Sequence, residues 1–233
     1  MAVHVLIPAA GIGRRMGGNG NKQYLSLGDR PILAHTLSRL ADLSCIDALH
    51  VIVPAEECAY CRDEVIAPLG RDKVRSVIAG GAERQDSVRN GLEGCGAADD
   101  DLVLIHDGVR PFFPAEQIPE LIAAAAADGA ALLAIPAQDT VKEVRDGRVV
   151  RTLERGRLWQ AQTPQAFRAA VIREAHRRAL AAGFAGTDDA SLVEWCGWPV
   201  VIVAGSPFNF KLTTPADLAL ARALLVTGAT ENP

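Results

Sequence analysis

The amino-acid sequence predicts a three-layer α/β/α sandwich around a mostly parallel β-sheet, with one β-hairpin arm protruding from it. Three observations carry this. Six short apolar runs recur between helical patterns: Val3 to Ile7, Leu49 to Val53, Val74 to Ile78, Leu102 to Ile105, Ala131 to Ile135 and Val200 to Val203. Few of them alternate apolar with polar residues, so they read as strands covered on both faces, as in a parallel sheet between helices. The alternation of strand and helix breaks once, between Thr140 and Leu153, where Asp146-Gly147 separates two strand-like runs, a hairpin signal. Such an architecture predicts right-handed crossovers and ligands at the carboxyl ends of the strands.

Taken in order, the first run leads straight into a glycine-rich loop, Pro8 to Gly18. A helix follows over Pro31 to Leu40, with Leu33, Leu37 and Leu40 on one face and Pro31 at the first helical position. The third strand meets Gly80-Gly-Ala-Glu-Arg-Gln-Asp-Ser87, which opens another helix. The fourth ends in His106-Asp107. Leu121 to Ala137 is the longest apolar stretch, but Asp128, Gly129 and Pro136 interrupt it, which excludes a membrane span. Beyond the arm the pattern predicts helices over Gln165 to Ala182 and Asp188 to Cys196, a strand, and a last helix over Pro215 to Val226. Thr214-Pro-Ala-Asp217 reads as the capped start of that last helix. With no repeat and no linker, the expectation is one domain over residues 1–233, its arm spanning 138–158. No helix covers the arm, so a second subunit is its expected partner, a monomer's surface flap being the alternative.

Hydrophobic residues make up 49% of the 233 and charged ones 22%, which supplies a sizeable core and excludes disorder. The 24 basic residues divide into 20 Arg and only four Lys (Lys22, Lys73, Lys142, Lys211), against 28 acidic residues and a net charge of -4. That balance argues against a general nucleic-acid or anionic-membrane binder, so any anion must be met by local clusters. The N-terminal residues lack a cationic segment and reach Pro8 and Gly11 too soon for a secretory signal. Five scattered cysteines suit a reducing cytoplasm. Cys58 and Cys61 have no second pair to complete a metal site and read as a chance helical spacing.

Three clusters carry chemistry. In the first loop, small residues let backbone N–H groups approach a ligand, and Arg14, Arg15 and Lys22 lie within nine residues of one another, a combination suited to phosphates. A P-loop would need Gly-Lys-Ser/Thr, and a dinucleotide fingerprint would need a third glycine where Met16 stands. Three cations suit a nucleoside triphosphate. Asp107, at the carboxyl end of a buried strand, stands where a Mg²⁺ ligand is expected, capping of a helix near Pro114 being the plainer alternative. Arg110 can bind a substrate anion, and His106 reads as a structural, hydrogen-bonded histidine. In the third cluster Gly80-Gly81 lets a base or ribose lie against backbone, while Ser87 can reach a base edge or cap a helix. Thr140, Arg155, Thr163 and Lys211 are expected at strand or hairpin ends.

Together, Pro8-Ala-Ala-Gly-Ile-Gly-Arg-Arg-Met16, Lys22-Gln-Tyr-Leu25, Gly80-Gly-Ala-Glu-Arg84, Asp86-Ser-Val88, His106-Asp-Gly-Val-Arg-Pro111, Asp139-Thr140, Thr163-Pro-Gln165, Thr187-Asp188 and Lys211 resemble the 2-C-methyl-D-erythritol 4-phosphate cytidylyltransferases. The resemblance implies a nucleotidyltransferase fold, a CTP-dependent enzyme of the non-mevalonate isoprenoid pathway, Mg²⁺ and a homodimer joined through the arms. It places Ala9, Ala10, Gly11 and Gly13 along the CTP phosphates and ribose, and Gly81 and Ser87 near cytosine. Arg15, Lys22 and Lys211 become the catalytic cations and Asp107 the metal ligand. Arg110, Thr140, Arg155, Thr163 and Thr187 surround the methylerythritol phosphate, Arg155 from across the dimer. Two departures stand out: Asp-Gly-Val-Arg replaces the commoner Asp-Ala-Ala-Arg, and Pro207-Phe208 occupies a place where the family often has an acidic residue. A cytidylyltransferase for ribitol phosphate or another sugar phosphate, and a non-catalytic nucleotide sensor, are the rival readings.

Overall fold

The structure is a computed structural model and describes residues 1–11 and 21–227. After β1 (Val3–Pro8) comes a short ribbon of β2 (Ser26–Leu27) and β3 (Arg30–Pro31), then α1 (Ile32–Ala41), β4 (Ala48–Val53), one α-helical turn α2 (Cys58–Tyr60) and β5 (Val74–Ala79). Next are α3 (Arg84–Gly94), β6 (Leu102–Ile105), α4 (Ile118–Asp128) and β7 (Ala130–Pro136). The arm strands β8 (Lys142–Arg145) and β9 (Arg148–Thr152) precede β10 (Trp159–Arg168), α5 (Ala169–Ala182), α6 (Asp189–Trp195), β11 (Val201–Ala204) and α7 (Pro215–Thr227).

The main sheet has seven strands in the order β11-β7-β10-β6-β1-β4-β5. β10 runs antiparallel to both neighbours and every other pair is parallel. The three layers follow from the sequence of β1 itself. Val5 and Ile7 are buried with Leu33, Leu37 and Leu40 of α1 and Leu121 of α4, whereas Leu6 between them is buried on the other face with Val88 and Leu92 of α3 and Ile172 of α5. Both faces of the strand are apolar because both are covered. Each such side chain withdrawn from water contributes about 1.5–3 kcal/mol. Because β1 sits between β4 and β6, the carboxyl ends of β1 and β6 open a crevice at the switch in strand order.

Four expectations change. The predicted helix over Gln165 to Ala182 begins only at Ala169; Gln165–Arg168 complete the ten-residue strand β10. Its glutamines are buried without being apolar: Gln162 donates to the Ser206 carbonyl at 2.8 Å, and Gln165 donates to Asp188 at 2.7 Å while accepting from Ala190 N at 3.0 Å. Pro164, which cannot donate to a ladder, sits where the β10–β7 register shifts. Thr163 therefore stands inside a strand rather than at its end. Pro31 is the N-cap of α1, not its first helical residue. Ser87 does not cap α3: Glu83 does, in a reciprocal capping box with Asp86.

The arm follows its turn chemistry. Asp146 and Gly147 have φ of 50° and 74°, the pair of positive values that a two-residue hairpin turn matching strand twist requires. Val144, Val149 and Val150 are exposed on it. At the C-terminus, Asp217 Oδ2 accepts from Thr213 N and Thr214 N, both at 2.8 Å, and Thr214 Oγ1 accepts from Asp217 N at 3.2 Å, so the predicted start of the last helix is capped as expected. No helix among the described residues is long and apolar enough to cross a membrane.

Candidate functional site

An open cavity of about 510 Å³ lies at the carboxyl ends of β1 and β6. Ala9, Ala10, Gly11, Lys22, Gly81, Ser87, Asp107 and Lys211 line it, which brings together eight predicted residues from five separate stretches of the chain. Gln23, Glu83, Arg84 and Thr213 complete much of the wall. Gly13 and Arg15, with Arg14, lie outside the described residues. The loops are held by the sheet beneath them: Ala9 N donates to Ile52 O at 2.8 Å and Gly80 N to Val53 O at 2.8 Å.

The Gly80-Gly81 turn has a packing reason as well as a binding one. A Cβ on Gly81 would lie 2.4 Å from Asp86 Cβ, and one on Gly80 would lie 2.8 Å from Ser87 Oγ. Ser87 Oγ accepts from Gly81 N at 3.0 Å and donates to Glu83 O at 3.1 Å, so this hydroxyl braces the turn against α3.

Asp107 is the electrostatic centre. Its Oδ2 lies 3.0 Å from Lys211 Nζ and 3.2 Å from Arg110 Nε, and its Oδ1 lies 3.6 Å from Arg84 Nε. Burial works against the charged form, but Lys211, Arg84 and Arg110 outweigh it and hold the carboxyl well below the usual carboxylate range. Arg84 in turn pairs through Nη1 with Asp189 Oδ2 at 2.8 Å, a contact that leaves Asp189 1% exposed.

His106 is fully buried and its Nε2 lies 3.1 Å from the Arg110 carbonyl. A carbonyl only accepts, so Nε2 carries the hydrogen and Nδ1 accepts from the Thr163 hydroxyl at 3.1 Å. Thr163 Oγ1 accepts in turn from Asp107 N at 3.1 Å. Burial pushes His106 down to about 4, in keeping with a neutral, structural ring.

The residues expected around the second substrate do not line the cavity. Thr163 is 5% exposed and positions the Asp107 peptide. Arg110 donates to Asn209 O at 2.6 Å as well as to Asp107. Thr140 and Arg155 are exposed at the base of the arm, where Arg155 Nη1 donates to Gln138 O at 2.7 Å. Thr187 is exposed just before Asp188, the N-cap of α6. Phe208, in the place of the expected acidic residue, is exposed, and no group of three or more His, Cys, Asp or Glu is poised for a metal among the described residues. Arg84 and Asp189 carry no separate signal in the sequence; Arg84 belongs to the Gly80-Gly-Ala-Glu-Arg84 stretch, but its partner is supplied by α6.

A doubly covered α/β sheet with a cationic, glycine-walled cavity at the switch in strand order defines a nucleotide-using transferase. The family model for 2-C-methyl-D-erythritol 4-phosphate cytidylyltransferase matches residues 3–227, and the chain belongs to that family. It is 56% identical over 227 residues to the 2-C-methyl-D-erythritol 4-phosphate cytidylyltransferase of Syntrophotalea carbinolica and 52% identical over 226 residues to that of Geotalea uraniireducens, covering 97% of both chains in each case. Among solved structures, the 4-diphosphocytidyl-2C-methyl-D-erythritol synthase of Anaerococcus prevotii superposes with a TM-score of 0.83 at 32% identity, over 97% of this chain and 96% of that one. The enzyme is a cytidylyltransferase, transferring CMP from CTP to 2-C-methyl-D-erythritol 4-phosphate in the non-mevalonate route to isoprenoids.

Proposed function

We propose that this transfer takes place in the cavity at the ends of β1 and β6, with the backbone of Ala9, Ala10, Gly11 and Gly13 along the CTP phosphates and ribose and the Gly80-Gly81 turn beneath cytosine. The cluster of Lys211, Arg84 and Arg110 around Asp107 carries the reading, since a triphosphate needs concentrated cations rather than many. The substrate phosphate attacks the α-phosphorus in line and pyrophosphate leaves. A phosphate monoester has its second pKa near ~6, so it is already largely a dianion and needs no general base. A neutral, enclosed His106 fits that chemistry. The chain's task is to hold two repelling anions together and to neutralise charge on the bridging and leaving oxygens, through Arg15, Lys22 and Lys211.

Asp107 is the proposed Mg²⁺ ligand. Mg²⁺ at nucleotide sites is held by one or two carboxylates together with substrate phosphates, and the Asp107 carboxylate on the cavity wall fits that role. The ion would supply charge neutralisation at the triphosphate. Arg110, Thr140, Arg155, Thr163 and Thr187 are assigned to the methylerythritol phosphate; the exposure of Thr140, Arg155 and Thr187 supports completion of that half by a partner's arm. Exposed Val144, Val149 and Val150 support a homodimer through the arm, and five free thiols support a reducing, cytoplasmic setting.

One assay tests the reading: pyrophosphate release with Mg²⁺ or chelator, CTP against ATP, GTP and UTP, across methylerythritol, ribitol and erythritol phosphates. Product is expected from CTP with methylerythritol phosphate and only with the divalent ion. Activity undiminished in chelator would remove Asp107 from its role.

A further inference from the structure

Among the described residues, Lys211, Arg110 and Arg84 pair with Asp107, and of these Arg84 alone has a second carboxylate closer than the first. Its Nη1 lies 2.8 Å from Asp189, whereas its Nε lies 3.6 Å from Asp107. Asp189 is the first residue of α6 and is 1% exposed, so water cannot replace a lost partner there. Its other neighbour is His176 of α5, whose Nε2 is 3.5 Å away, also 2% exposed. The α6 end is clamped in place independently, by Gln165 of β10 on Asp188 and Ala190, and by Gln85 of α3, which donates to Phe184 O and accepts from Gly186 N at 3.1 Å each. Asp189 is therefore a fixed anchor, and Arg84 bridges it to Asp107.

We infer that Asp189 is a positioning residue for the metal-loaded site: it retains Arg84 when a divalent cation takes Asp107, so that the guanidinium can leave Asp107 without losing its counter-ion. This rests on the reading of Asp107 as the Mg²⁺ ligand. A divalent cation arriving at Asp107 meets like charge at Lys211, Arg110 and Arg84. Lys211 is one-third exposed and has a triphosphate to turn to, and Arg110 is already tied to Asn209 O. Arg84, one-third exposed on the cavity wall, already holds the buried Asp189 at 2.8 Å, closer than Asp107, and Asp189 gives it the alternative. In Asp189→Asn that alternative is neutral, and Arg84 closes on Asp107 in competition with the ion.

The test measures CTP affinity calorimetrically without the second substrate, so that nothing turns over, in chelator and at saturating Mg²⁺. The wild type is expected to bind CTP more tightly with Mg²⁺ and Asp107→Asn to lose that gain. Asp189→Asn is expected to lose about tenfold of the gain while its affinity in chelator moves less than about threefold. Removing both charges, in Arg84→Gln/Asp189→Asn, is expected to restore the gain. A folded Asp189→Asn with the full gain overturns the inference. Should the single variant not fold, the double variant decides: a retained gain supports the role and a lost gain overturns it. If the wild type shows no gain, or Asp107→Asn keeps it, the Asp107 reading fails instead.

Discussion

Lys211 Nζ lies 3.0 Å from the Asp107 carboxylate at the base of the cavity, closer than Arg110 at 3.2 Å or Arg84 at 3.6 Å. Lys211 arrives on the loop after β11 and Asp107 on the loop after β6, so the pair ties the end of the sheet to its centre. A lysine here is a compact charge on a rotatable stem, able to exchange a carboxylate for a phosphate as substrates arrive.

Lys211→Met is therefore expected to lower turnover by about 10²–10³ while changing CTP affinity far less, because the interaction is needed where charge develops. Lys22→Ala should behave in the same way. Quenched-flow measurement of the chemical step checks both, and a near-normal burst in either variant would reject its catalytic role.

The Gly80-Gly81 turn is tested by adding one methyl group. Gly81→Ala drives a Cβ to 2.4 Å from Asp86 Cβ, backbone-anchored and unable to swing away, and disturbs the 3.0 Å hydrogen bond to Ser87. Overpacking of this kind costs about 1–3 kcal/mol. Urea denaturation should show that loss along with a raised KM for CTP; a variant as stable as the wild type would mean that α3 yields.

How far the sequence reaches is clear from particular residues. Ala9 to Gly11, Gly81 and Asp107 are legible because small or charged residues just beyond apolar strands have few other uses, whereas Lys211, on the loop well past the end of β11 at Ala204, is reached only through the family resemblance. Strand β10 is not, because three of its six buried positions are the polar Gln162, Thr163 and Gln165, whose burial depends on partners in Ser206, Asp107 and Asp188. No local pattern encodes those partners. Arg84 is hidden for the same reason: its second carboxylate belongs to α6. Thr163 is found as a site residue, yet its hydroxyl is spent on the Asp107 peptide and His106.

Acid should weaken the fold in two windows. His50 is 3% exposed, its Nε2 lies 3.1 Å from His4 Nδ1 and its Nδ1 2.8 Å from Ser76 Oγ. Burial first, then the neighbouring His4, lowers it from 6.5 to about 4. The unfolded chain takes up this proton at a higher pH than the folded one, so stability falls as pH drops from 6.5 towards 4, by at most about 3 kcal/mol at 1.36 kcal/mol per unit. His106 adds to the same window. The carboxylates of Asp107 and Asp189 are held low by their cations, so their stabilisation is lost only below about 3.8. His50→Gln should flatten the upper window without touching the lower one; urea unfolding at a series of pH values would refute this if the slope were unchanged.

Val144 and Val149 face each other across the ladder and are 56% and 61% exposed, with Val150 at 53%, beside Arg145, Arg148 and Arg151. An isolated two-stranded ribbon is marginally stable in water, and apolar side chains on it gain stability only by being covered. If a second copy's arm covers them, Val149→Glu places a charge in the contact and should shift the protein from dimer to monomer, because an unpaired buried charge is costly. Since Arg155 and Thr140 stand at the base of the same arm, the monomer should lose affinity for methylerythritol phosphate while keeping that for CTP, whose cavity is built within one chain. Sedimentation velocity and separate titrations of the two substrates would decide it: a monomeric wild type, or a monomeric variant with unchanged affinity for both, would sever the arm from the site.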